Sequence, residues 1–123
     1  MFFVTIAAMV IALAMNASPR AQQASTAPAP PAGDSENGRK TLVKYGCAQC
    51  HGREGQGAPI AGPRIGPGPL PFAGFAKYVR APTGQMPPYT AKVVTDQELA
   101  DIRAFLASRP RPSAAAQDLL PPN

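Results

Sequence analysis

The chain has 123 residues, with 16 prolines, two cysteines, one histidine, no tryptophan and a formal net charge of +5. One histidine and two cysteines cannot fill a four-ligand Cys/His zinc centre, so a zinc-stapled module is excluded. Residues 39–92 carry eight basic side chains (Arg39, Lys40, Lys44, Arg53, Arg64, Lys77, Arg80, Lys92) against one acid, Glu54. That excess would suit nucleic acid, but it is scattered over loops without a recognition motif.

Residues 1–15 are almost wholly apolar, with Thr5 the only polar side chain. A helix of about 14 residues spans ~20 Å, short of the ~30 Å hydrocarbon core of a bilayer. A secretory signal peptide is therefore expected over residues 1–17, with cleavage after Ala14 or after Ala17 both compatible. It lacks a basic residue ahead of the apolar run, and an uncleaved, tilted anchor is the alternative. Residues 18–33 (SPRAQQASTAPAPPAG) have no apolar periodicity and read as a solvated linker.

The domain is expected over residues 34–109. Its first helix covers residues 34–45, with Asp34 or Ser35 as N-cap and Gly38, Leu42 and Tyr45 at i, i+4 and i+7. A glycine inside a helix costs about 1 kcal/mol relative to alanine, so Gly38 asks for a reason. Close approach of another helix would supply one, and so would simple tolerance near a fraying end.

Next comes Cys47-Ala48-Gln49-Cys50-His51, which holds both cysteines and the only histidine. On a helical turn, positions i, i+3 and i+4 share a face. Two thiols one turn apart can hold a porphyrin edge while the adjacent imidazole reaches its iron, and the spacing reads as c-type haem attachment. A thiol–disulfide pair would want a βαβ pattern, which is not visible. A structural disulfide closing so short a loop would constrain little of the unfolded chain.

Residues 58–71 contain five prolines and three glycines, a density that no helix or central strand survives. The second helix is expected over residues 72–80, with Phe72, Phe75, Ala76 and Val79 on one face, ending before Pro82. Met86 follows in a Met-Pro-Pro-Tyr loop. The other methionines (Met1, Met9, Met15) all lie in the leader. Met86 reads as the second axial ligand of a His/Met-ligated iron, or else as a core gap-filler. The last helix opens with Thr95-Asp96-Gln97-Glu98, a capping box, and carries Leu99, Ile102, Phe105 and Leu106 at 3–4 spacing. Residues 110–123 form a tail in which Leu119 and Leu120 are the only large apolar side chains. A domain of about 75 residues buries too little surface to be comfortably stable alone, and a covalently held apolar macrocycle would supply the centre of its core.

Over roughly residues 34–108 the chain resembles a small bacterial class I cytochrome c. The resemblance is carried by the haem motif, by Gly62-Pro63, by Gln85-Met86-Pro87-Pro88-Tyr89 and by Ile102-Arg103-Ala104-Phe105-Leu106. It implies an all-α cytochrome c fold, with three or four short helices wrapped around one covalently bound haem c and joined by Pro/Gly-rich loops. In that family the first and last helices cross at a glycine, which here matches Gly38 and Leu42 against Ile102 and Phe105. The resemblance further implies haem attachment at Cys47 and Cys50, and axial ligation by His51 and Met86. It also implies a hydrogen bond from His51 to the carbonyl of Pro63, twelve residues on, and an apolar haem-pocket wall at Ile65. Such a bond to the imidazole's other nitrogen would orient the ring and make it a more basic ligand. Many members use a tryptophan on a haem propionate; here the partner lies open among Arg64, Tyr78, Arg80 and Tyr89.

An iron with both axial positions filled by protein is suited to one-electron transfer rather than to binding oxygen or a small-molecule substrate. The expectation is a periplasmic monohaem electron carrier, not an enzyme, whose partners are redox proteins with an acidic docking surface. Neither nucleic acid nor membrane is an expected partner, unless an uncleaved leader anchors the chain. The alternative is the electron-accepting cytochrome subunit of a periplasmic dehydrogenase, which would use the same residues.

Overall fold

In the computed structural model, residues 29–113 are described; the expected leader, most of the linker and the end of the tail lie outside them. Four α-helices are present among the described residues: α1 (Ser35–Lys44), α2 (Cys47–His51), α3 (Phe72–Arg80) and α4 (Asp96–Ala107). None is long and apolar enough to cross a membrane. Among the described residues the only β-pairing is an isolated bridge between Ala58 and Gly62.

The helix ends follow the local chemistry of the sequence. Of the two cap candidates Asp34 is the one used, its carboxylate accepting from the backbone N–H groups of Glu36 and Asn37 at 2.8 and 3.0 Å. These are orphan donors that a helix start must satisfy from outside. At α4 the capping box is complete. Thr95 Oγ1 accepts from the Glu98 N–H at 3.2 Å, and the Glu98 carboxylate accepts from the Thr95 N–H at 2.9 Å. Between α1 and α2 the chain reverses at Gly46, whose φ of +78° is a conformation that side chains disfavour.

Leu42, Val79, Val94, Leu99, Ile102, Phe105 and Leu106 form one buried cluster. The whole apolar stripe expected on α4 is in it. On α3 only Val79 is fully buried, while Phe72, Phe75 and Ala76 pack against the cluster from its edge.

The most extensive helix contact is α1 against α4, and Gly38 is where they meet. A Cβ at position 38 would fall on the carbonyl carbon and oxygen of Asp101 and lie 2.9 Å from the Ile102 nitrogen. Only a residue without a side chain lets the backbones come this close. Packing on α4 begins earlier than the expected domain boundary: the Ala32 carbonyl accepts from Gln97 Nε2 at 2.7 Å, and a Cβ on Gly33 would strike the Ala100 carbonyl.

Asp101 fastens the crossing. Its buried carboxylate accepts from the Asp34 N–H at 2.8 Å, from Asn37 Nδ2 at 2.6 Å and from Gln97 Nε2 at 2.9 Å. Burial alone would raise its pKa, but these hydrogen bonds outweigh that and hold the carboxyl below its ordinary value. At the other end of the pair, Glu98 Oε1 accepts from Tyr45 Oη at 2.7 Å and from Lys44 Nζ at 3.2 Å.

Candidate functional site

The short helix α2 places Cys47, Cys50 and His51 on one face, as their i, i+3, i+4 spacing requires. Cys47 is half-buried and Cys50 exposed, while the His51 ring is buried. The Pro/Gly-rich loop then passes close over this helix: a Cβ on Gly62 would sit 3.0 Å from the Cys50 carbonyl oxygen. That approach sets Pro63 beside the imidazole, with His51 Nδ1 2.7 Å from the Pro63 carbonyl oxygen. A carbonyl oxygen only accepts, so the contact assigns the ring proton to Nδ1 and leaves the Nε2 lone pair for a metal. The same loop is tied to the body of the domain where Ile65 and Gly66 donate their N–H groups to the Gly55 carbonyl at 2.9 and 3.0 Å. Arg103 Nε donates to the Leu70 carbonyl at 2.7 Å.

Cys47, Cys50, His51, Pro63, Ile65 and Met86 all line one cavity of about 560 Å³. Leu42, Val79, Leu99 and Ile102 also face it, so the cavity shares its walls with the core. The volume is that of a small-molecule or cofactor site. An apolar slot with two thiols and a buried imidazole of fixed tautomer fits a covalently attached metalloporphyrin. It fits a thiol–disulfide exchanger poorly. Burial pushes the Cys47 thiol up from its ordinary pKa, with Cys50 adding to the rise, whereas an exchanging thiol needs its pKa lowered.

The residues considered for a propionate divide. Arg64, Tyr78 and Tyr89 line the cavity, but Arg80 does not. Its guanidinium donates through Nη1 to the Tyr89 carbonyl at 2.8 Å and through Nη2 to Asp96 Oδ1 at 2.8 Å. Of the four residues left open for a propionate, Arg80 is thus the one whose guanidinium holds the chain together instead of lining the cavity. Tyr89 Oη donates its single proton to the Tyr45 carbonyl at 3.0 Å. Arg64 and Tyr78 line the cavity wall, and the Tyr78 hydroxyl pairs with Thr83 Oγ1 at 3.1 Å.

Sequence reasoning overlooked Asp101, Tyr45 and Arg103 as fasteners of this scaffold. The available signal was a carboxylate between Ala100 and Ile102, inside the apolar stripe of α4.

The helical fold, the haem motif and the apolar cavity together define a c-type cytochrome domain. Residues 33–106 match the family model described as cytochrome c oxidase, cbb3-type, subunit III. That is more than half of the chain, and the chain belongs to this family. No curated protein matches the chain. The family is one of electron-transfer proteins, and its cofactor is covalently bound haem c.

Proposed function

We propose that this protein is an exported monohaem carrier that passes single electrons between redox partners in the periplasm. In this reading Cys47 and Cys50 would each hold the haem through a thioether, and His51 and Met86 would be the side chains that ligate its iron. The observation that carries it is the 2.7 Å contact between His51 Nδ1 and the Pro63 carbonyl, in a cavity that Met86 also lines. When bound, the haem supplies the ferrous/ferric couple. The chain's own task is rigid: Pro63 orients His51 and fixes its tautomer, while the apolar wall of Leu42, Ile65 and Ile102 keeps water away. Iron held by both side chains would be suited to one-electron transfer rather than to binding a substrate.

The apolar leader supports export, with membrane anchoring as its alternative. The excess of basic residues over residues 39–92 supports partners with an acidic docking surface. The absorbance spectrum of the purified, reduced full-length protein tests the reading together with its mass. A low-spin c-type spectrum and one haem that acid–acetone does not extract are expected; two titratable free thiols in exported protein would overturn it.

The family's description as a subunit of an oxidase favours a second reading, in which the domain serves inside a larger complex. In that reading the domain is the electron-accepting subunit of a periplasmic dehydrogenase. Co-purification with a large flavin, molybdenum or quinone-type partner separates this from a free carrier.

A further inference from the structure

The segment between α3 and α4 that carries Met86 has no regular secondary structure. Pro87 and Pro88 have no N–H to tie it down. Immediately after them the chain is held at three points through one residue. The Tyr89 N–H donates to the Val79 carbonyl at 3.1 Å, its hydroxyl to the Tyr45 carbonyl at 3.0 Å, and its own carbonyl accepts from Arg80 Nη1 at 2.8 Å. Arg80 continues to Asp96, the first residue of α4. The ends of α1 and α3 therefore meet at Tyr89, and Arg80 links them to the start of α4. On the other side of Met86, the Thr83 hydroxyl pairs with Tyr78 Oη at 3.1 Å, in an exposed contact.

From this we infer that Tyr89 and Arg80 are positioning residues for Met86. They hold the loop so that the sulfur stays at the iron, and they set how often it leaves. The inference rests on Met86 being the axial ligand. A rigid two-proline spacer transmits the anchoring: the residue before a proline is confined to extended geometry, so fixing Tyr89 restricts where Met86 can swing. The Arg80 bond is the strongest of the three because its donor is charged.

The test uses full-length, haem-loaded ferric protein and free imidazole as probe. In the exchange the iron–sulfur bond breaks and an iron–nitrogen bond forms, with no electron transferred. At saturating imidazole the observed rate is limited by departure of Met86. Arg80→Leu should raise that limiting rate about tenfold, the loss expected for one charge-assisted hydrogen bond. Tyr89→Phe, which keeps both backbone bonds, should raise it several-fold, and Arg80→Lys should fall between Arg80→Leu and the parent. Denaturant midpoints measured alongside register any global loss of stability, which alone would leave the exchange rate of folded protein unmoved. Parent-like rates in both Arg80→Leu and Tyr89→Phe would overturn the inference, and Tyr89→Phe decides alone if Arg80→Leu does not fold. Met86→Ala distinguishes the two levels. It should bind imidazole without the limiting step; if it keeps the parent's limit, the ligand assignment fails and this inference fails with it. If Met86→Ala behaves as expected while the other variants match the parent, only the positioning role is lost.

Discussion

Gly38 of α1 lies against the carbonyl of Asp101 of α4, backbone on backbone. The helix interior pays for this glycine in propensity, and the crossing recovers the loss by letting the two helices touch. Gly38→Ala should therefore destabilise the domain, because the methyl would strike main-chain atoms rather than a side chain that can turn aside. Overpacking of this kind costs roughly 1–3 kcal/mol or more, which exceeds the ~1 kcal/mol of helix propensity gained. A lower denaturant midpoint is the expected result, and a higher one would contradict the crossing.

Met86→Ala should abolish the weak far-red sulfur-to-iron charge-transfer band, lower the reduction potential and open the iron to added ligands. The thioether favours ferrous iron, so its removal shifts the couple downward. A spectroelectrochemical titration beside the parent protein reads both effects; an unchanged band and potential would remove Met86 from the ligand set.

The pair Cys47→Ala, Cys50→Ala should yield little folded protein on export. The walls of the cavity are core residues such as Leu42 and Ile102, so a chain that cannot retain the haem leaves its core facing water. Soluble yield and far-ultraviolet circular dichroism against the parent provide the check. Full yield with native helix content would show that the polypeptide folds without its centre.

Stability should fall in acid, and Glu98 supplies part of that fall. Its pKa is lowered from 4.5 to about 2, first by the Thr95 N–H and next by the Tyr45 hydroxyl, with Lys44 and Thr95 Oγ1 contributing. A depressed carboxylate means that the unfolded chain binds more protons than the folded one, so stability rises with pH in this window. The contribution is fully present above about pH 4.5 and is lost as pH falls through about 2. Asp101, also lowered, acts in the same direction. Glu98→Gln should flatten the dependence of the denaturant midpoint between pH 5 and pH 2, while an unchanged slope would place the titration elsewhere.

Helix caps and apolar stripes were legible because they depend on spacing along a few turns of chain. Asp34, Thr95 and Glu98 cap helices through neighbours within four residues, and Leu99, Ile102, Phe105 and Leu106 share a face by periodicity alone. The pairing of His51 with Pro63 was legible only through resemblance, since eleven intervening residues of turn can place a carbonyl in many ways. The role of Arg80 stayed open in the sequence because a guanidinium suits a propionate, a carbonyl and a carboxylate equally well. Its choice between them depends on where residues 81–96 return in space.

By itself, then, the chain determined its chemistry: two thiols and an imidazole at i, i+3 and i+4, one thioether in the domain, and a glycine in a helix that needed a close neighbour. Local geometry enforces those facts in any fold that keeps α2 helical. Only the tertiary structure decided that Asp101 is the neighbour of Gly38 and gathers three donors, that Tyr89 bonds to the ends of α1 and α3, and that the haem-lining wall is also the core. Each of these joins segments remote in sequence, whose contact depends on how loops without helical periodicity pack, and no local preference of the chain specifies it.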